Sequence, residues 1–220
     1  MRRELVRPVL TVDLVVLTLH EGVVHVVLQP RKYDPFKGQL ALVGGYVRPK
    51  EDASTTAAAT RVLWDKTGLT AGLLEQLMTF SSATRDPRGW SASVAYFALV
   101  SSAAVLAART GLQLVPLAKA IGLAFDHDEI VLKATERCRR RSAYSSLPAF
   151  MLSPSFTLAA LRRAYEAVLG RALNDSAFRR KVDELRVVEP VAGAASRSTS
   201  RPAQLYRLAA TTIAEFDRTL

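Results

Sequence analysis

Two runs rich in β-branched residues open the chain, VLTVDLVVLTL at 9 to 19 and VVHVVL at 23 to 28. Only the short turn HEG separates them, so the pattern predicts a hairpin or two neighbouring strands. Further strand-like segments fall at 40 to 43, 76 to 81 and 92 to 100. Between them, Asp52 to Thr67 is rich in alanine, lacks Gly and Pro, and runs straight into Gly68, which predicts a helix with a glycine stop. Strands and helices that alternate in this way predict an α/β domain. From Pro116 to Tyr144 the spacing turns helical, with Ile130, Ala134 and Cys138 four residues apart.

Pro148 and the small polar residues around it change the character of the chain, and the boundary between two domains, 1–147 and 148–220, is placed there. In FTLAALRRAYEAVLG, Thr157 suits a cap, Leu158, Leu161, Tyr165, Val168 and Leu169 keep helical spacing, and Gly170 ends the helix. A second helix starts near LND and gathers Phe178, Val182 and Leu185 on one face, leaving Arg179, Arg180 and Lys181 largely on the other. RVVEPV, the run AGAASRSTS and RPAQLYRL follow as two strand-like pieces around a basic loop. Helix, turn, helix and β-ribbon is the order of a winged helix.

Composition narrows the partners. With 220 residues, 49% of them hydrophobic, the chain can bury a sizeable core, and its net charge of +10 favours polyanions. From residue 148 onward, eleven Lys and Arg face seven Asp and Glu. A single cysteine, Cys138, excludes an internal disulfide and fits a reducing compartment, so a cytoplasmic location is expected. The start MRRELVRPVLTVDLVVLTL sets basic residues before an apolar run, but Glu4, Arg7 and Asp13 interrupt it, so it reads as a buried strand and not as a leader or membrane segment.

The candidate chemistry lies in GGYVRPKEDASTTAAATRVLWDKTGL, Gly44 to Leu69, which resembles the Nudix box that holds a metal-bound diphosphate. Gly45 and Glu51 fit its first half, and Arg61, Leu63, Gly68 and Leu69 its second, with nine residues between Glu51 and Arg61 where the pattern has seven. Hard divalent cations need carboxylates on one helix face, at i, i+3 and i+4. Here those positions are Val62, Asp65 and Lys66. No catalytic or metal-binding residue is therefore expected.

Outside the box, RDPRGWSASVAYFAL, LAFDHDEIVLKA, FTLAALRRAYEAVLG, FRRKV and RPAQLYRL resemble the Nudix-related transcriptional regulators, the NrtR family, in the same order along nearly the whole chain. Val43, Leu40 and Ser200 stand where that family usually has Pro, Trp and Gly. The resemblance implies a Nudix-like α/β/α sandwich that has given up catalysis, followed by a winged helix-turn-helix domain. It implies a homodimer on double-stranded operator DNA, a small nucleotide effector such as ADP-ribose, no cofactor and no membrane, and repression of NAD-metabolism genes. A cleft shaped for a nucleoside diphosphate serves as a sensor once hydrolysis, which would destroy the signal, is lost.

On this reading Gly44, Gly45 and Arg48 near the box, Arg85 and Arg88 for phosphate, and Phe80 as a packing wall are the candidate effector residues. The arginines of RDPRG equally suit a structural turn with Asp86. Asn174 and Ser176 at the start of the second tail helix, Arg179, Arg180 and Lys181 along it, and Arg197 and Arg201 around the loop are the candidate DNA contacts. The helix with Asp126, His127 and Lys133 is a candidate lever between the two domains. Two other readings remain open: a Nudix hydrolase using Glu51, Asp52 and Asp65, and a DNA-binding repressor whose Nudix-like half only dimerises.

Overall fold

The computed structural model describes residues 7–196 and 203–217. In chain order its strands and helices are β1 (Val9–His20), β2 (Val23–Pro30), β3 (Leu40–Ala41), β4 (Val43–Tyr46), α1 (Thr55–Thr67), β5 (Leu73–Ser82), β6 (Ser91–Leu99), α2 (Ser102–Leu106), β7 (Gln113–Pro116), α3 (His127–Ser142), α4 (Leu158–Leu169), α5 (Asp175–Leu185), β8 (Val188–Ser196) and β9 (Ala203–Leu208). The first seven strands form one mixed sheet with the path β3-β2-β1-β6-β5, while β4 pairs with β1 and β7 with β2. β1 runs antiparallel to β2 and β4 and parallel to β6.

Both faces of the sheet are covered, which is why β1 is apolar almost without interruption. Alternate residues serve opposite cores. Val12, Leu14 and Val16 join Val94, Tyr96 and Ala98 against Ala58, Ala59, Val62 and Leu63 of α1. Val15 and Leu17 join Phe97 and Leu99 against Ile130, Val131, Ala134 and Cys138 of α3. The first domain is thus an α/β/α sandwich, and the four-residue spacing of Ile130, Ala134 and Cys138 marks the face that α3 buries.

Three boundaries differ from the sequence expectation, each for a local reason. α1 begins three residues after Asp52, because Ser54 caps it by accepting the Ala57 N–H and Asp52 is drawn off to Arg61 and the Arg48 N–H. The expected strand at 40 to 43 breaks at Leu42, whose N–H donates to His127 Nδ1 at 3.0 Å, so that β3 and β4 pair with different neighbours. The helical stretch anticipated from Pro116 starts only at His127. β7 first pairs with β2, the Asp128 carboxylate then accepts the N–H groups of Gly122 and Leu123, and Phe125 sits at a left-handed φ of 59°.

The C-terminal unit packs α4 and α5 with the β8–β9 ribbon around Phe156, Leu161, Tyr165, Phe178 and Val182. Thr157 and Asn174 cap the two helices through the N–H groups of Ala160 and Ala177, and Gly170 ends α4 at a φ of 70°. This is the winged helix-turn-helix expected from the sequence. Tyr165 and Phe178 are buried in edge-to-face contact, and Tyr206 is half-buried on the ribbon, so all three serve packing.

The junction is not an exposed linker. Leu147–Met151 is a buried 3-10 turn whose Leu147 and Met151 belong to the first core and whose Ala149 belongs to the second. Tyr165 Oη donates to the Ser145 carbonyl at 2.8 Å, and the chain end returns so that Phe216 N–H donates to Tyr144 O and Ser146 N–H to Ala214 O. No helix among the described residues is long and apolar enough to cross a membrane.

Candidate functional site

A cleft of about 1000 Å³ is bounded by β1, β4, α1, the loop after β2 and the segments around 85–88 and 125–127. Its position follows from close packing at the glycine pair. A Cβ on Gly44 would overlap Asp13 Oδ1, and one on Gly45 would come within 2.9 Å of Val62 Cγ2. Without side chains there, β4 lies directly against the β1 carboxylate and the face of α1.

Asp13 anchors a buried polar network under the cleft. It accepts from Ser93 Oγ at 2.6 Å and faces Arg85 Nη2 at 3.4 Å and His127 Nε2 at 3.6 Å. Because His127 Nδ1 accepts the Leu42 N–H, the ring proton sits on Nε2, toward Asp13. Burial pushes the His127 pKa below its ordinary value, against the opposing charges of Asp13 and Asp126, and keeps the ring neutral. Arg85 is buried and grips Asp126 with Nε and Nη2, both at 2.8 Å, while Nη1 donates to Ser91. The first turn of α3 is thereby tied to the cleft floor.

This geometry corrects two of the expected site residues. Arg85 reaches the cleft wall, but four of its N–H donors are engaged by Asp126, Ser91 and Asp13, so it positions the floor and has no free fork for a phosphate. Phe80 is 6% exposed and lies in the core on the α3 side, where it lines a neighbouring hollow with Met78, Phe36 and Phe125 and not the large cleft. Arg88 lines the cleft, half-exposed, and also closes the RDPRG turn: its backbone N–H and Nε donate to Asp86, and Nη1 donates to Tyr46 Oη. Gly44, Gly45 and Arg48 line the cleft.

Several lining residues were missed. Arg31 lies 4.4 Å from the centre of the Phe125 ring, which also packs edge-on against Phe36. Its Nε and Nη2 donate to the carbonyls of Pro35 and Tyr33, and its pKa is lowered by burial first and then by Arg88. Arg109 crosses the end of α1 and donates to Asp65 O. Both come from loops without a motif, and only tertiary structure brings them to the box.

Within the box, the carboxylate facing Arg61 is Asp52 and not Glu51. Arg61 grips it with two bonds of 2.7 and 2.8 Å, which hold the Asp52 pKa down to about 2. Glu51 pairs instead with exposed Arg48.

The fold family implies a divalent metal, and the residues present do not fit one. At the i, i+3 and i+4 positions, Val62 is buried beneath Gly45, Asp65 faces Arg61 at 3.6 Å, and Lys66 lines the cleft. Among the described residues no three His, Cys, Asp or Glu side chains are grouped to hold a metal. Eight lining cations face four carboxylates. At an effective dielectric of about 20, a unit charge 4 Å from another contributes about 4 kcal/mol, and a dication doubles the repulsion from an ammonium group.

The second candidate surface is α5. Arg179 and Arg180 are exposed, Arg179 held by Asp175 at 2.9 Å and Arg180 near Glu184 at 3.9 Å. Ser176 is exposed beside the Asn174 cap, whereas Lys181 is half-buried. Arg197, Ser200 and Arg201 lie outside the described residues.

Comparison with known proteins agrees with both halves. A family profile described as the NrtR DNA-binding winged helix domain matches residues 148–208. The ADPR responsive transcriptional repressor NtrR of Acinetobacter baylyi is 38% identical over 207 residues, covering 92% of this chain and 82% of that protein. NrtR of Shewanella oneidensis superposes with a TM-score of 0.88 at 35% identity, over 96% of this chain and 100% of that one. Its complex with a 27mer DNA gives a TM-score of 0.86 at 34% identity, over 96% and 99% of the two chains. Its Nudix domain with ADP ribose gives 0.57 at 35% identity, over 60% of this chain and 90% of that one. A partial likeness, 33% identity over 108 residues, links the chain to an ADP-ribose pyrophosphatase of Methanocaldococcus jannaschii, across 48% of this chain and 63% of that protein. With a Nudix-type sandwich, a matching winged helix and a curated relative aligned over most of its length, the chain belongs to the NrtR family.

Proposed function

We propose that the protein is a DNA-binding repressor of NAD-metabolism genes whose Nudix-like domain, residues 1–147, senses ADP-ribose or a related NAD-derived nucleotide without hydrolysing it. Residues 148–220 read a palindromic operator as part of a homodimer, in the cytoplasm. The observation that carries the reading is the coexistence of a cationic cleft, with Val62 and Lys66 at metal-ligand positions, and an exposed arginine pair on α5. The names borne by the A. baylyi and S. oneidensis relatives support the effector and the DNA partner.

In this mechanism Arg179 and Arg180 meet base edges or phosphates in the major groove, with Ser176 and the N-terminus of α5 on the backbone. Arg197 and Arg201 extend the contact through the wing. Gly44, Gly45, Arg48 and Arg88, together with Arg31 and Arg109, surround the effector, and Arg85 positions the floor. α3 carries the signal. Its first turn is held to that floor through Asp126 and His127, and near its last turn Arg139 Nε donates to the Val168 carbonyl of α4 at 3.4 Å. Effector binding favours a dimer geometry that misplaces the two α5 helices and releases the operator.

The test is a gel shift with palindromic DNA from upstream of NAD-metabolism genes, with ADP-ribose titrated in. Specific retardation at low salt that fades with ADP-ribose supports the reading, and no specific retardation defeats it. Incubation with ADP-ribose and Mg²⁺ should leave the nucleotide intact; hydrolysis at useful rates would restore the enzyme reading.

A further inference from the structure

We infer that Lys66, with Arg31 and Arg109, forms a seat for the ligand's diphosphate that replaces the divalent metal, so that binding needs no metal ion. This deepens the proposed function and rests on its assignment of the cleft to a nucleoside diphosphate. Three observations carry it.

The first is the fate of the carboxylates. Asp13 is bonded to Ser93 and Arg85, Asp65 faces Arg61 and Asp86 is bonded to Arg88. Of the four lining acids only Asp34 stands outside an ion pair among the described residues. One carboxylate cannot supply the oxygen ligands that Mg²⁺ or Mn²⁺ requires; recruiting Asp86 would strip Arg88 of its acid, and recruiting Asp13 or Asp65 would take one of two partners from Arg85 or Arg61.

The second is the state of the cations. Among the described residues, Arg31 and Arg109 form hydrogen bonds only to backbone carbonyls, which occupy donors without cancelling charge. Lys66 has solvent access at the cleft wall, and its charge is felt by neighbours of the same sign, Arg31 and Lys32. The recess excludes enough water to lower the Lys66 pKa, an effect that Asp13 opposes. Like charges gathered along one cleft wall are relieved by an anion, and a disubstituted diphosphate brings two negative charges to one place.

The third is position. Lys66 occupies the i+4 place on the helix face where a metal ligand would stand, one turn beyond Val62 and next to the α1 C-terminus, which favours a cation. Its ammonium therefore lies where the metal's charge would be needed, carried on the protein itself.

The experiment is calorimetric titration of the full chain with ADP-ribose and, separately, with inorganic pyrophosphate, each in EDTA and in Mg²⁺. ADP-ribose should bind equally in both buffers, within about twofold. Lys66→Met should weaken both ligands at least tenfold and Lys66→Arg by much less, with melting temperatures unchanged because the side chain is solvent-accessible. Wild-type binding that requires Mg²⁺, or Lys66→Met binding as wild type, overturns the inference. Pyrophosphate binding in EDTA without ADP-ribose binding upholds the seat and defeats the effector assignment, and failure of both ligands overturns both.

Discussion

The two ends of the molecule use arginine in opposite ways. In the cleft, Arg85 and Arg61 are locked by carboxylates and shape the site without being offered to a ligand. On α5, the ion-pair partners of Arg179 and Arg180 among the described residues are solvent-exposed and four residues away, of the kind that contributes little to stability and exchanges readily. A buried arginine therefore supports folding here, and an exposed one is available for binding. The distinction is experimental, because mutating the two classes should move different observables.

The largest effect is expected at Arg85. Arg85→Ala leaves Asp126 and Asp13 without their cation in a buried site and should lower stability by about 3–5 kcal/mol, read by chemical denaturation. Arg180→Ala and Arg179→Ala should each weaken operator binding by about 1–3 kcal/mol and reduce its salt dependence, with the melting temperature unchanged. If Arg85→Ala melted like wild type, or if the α5 variants unfolded, the contrast would be broken.

Gly44→Ala should cost about 1–3 kcal/mol, since the new Cβ would overlap the Asp13 carboxylate, and should reduce nucleotide affinity as the floor shifts. At the other end, Asn174→Ala removes the cap of α5 and should cost about 1 kcal/mol, with operator affinity falling only as far as the helix start frays.

Acid sharpens the comparison through His127. Its folded pKa is depressed, chiefly by burial, so the unfolded chain takes up a proton that the folded chain resists. The stabilising contribution is present above the ordinary imidazole value of about 6.5 and is lost as pH falls below it, at no more than about 1.4 kcal/mol per pH unit for one site. His127→Asn, which keeps an acceptor for the Leu42 N–H, should flatten stability between pH 6.5 and 5 relative to wild type.

The same contrast explains what could be read from the chain beforehand. The winged helix was legible because its signals are local: Thr157 and Asn174 caps, the Gly170 stop, and apolar spacing through Tyr165 and Val182. The sandwich was legible in its two-faced β1 and in the helix ending at Gly68. The cleft was only half legible. Gly44, Gly45 and Arg48 were found because the box places them, and Lys66 stood out as a departure from it. Arg31 and Arg109 lie about 80 residues apart on loops without a pattern and come to line one cleft only when β2, α1 and the segment before β7 assemble. Sequence could not say that Arg85 would be captured by Asp126, 41 residues on, or that Phe80 would turn toward α3.

The central claim is that an anion in the cleft is communicated to α5, and fluorescence anisotropy of labelled operator with the full chain tests it most directly. Addition of ADP-ribose in EDTA should lower operator affinity at least fivefold in wild type and leave Lys66→Met, bound to the same DNA, nearly unaffected. Operator affinity that is identical with and without saturating ADP-ribose would contradict the account.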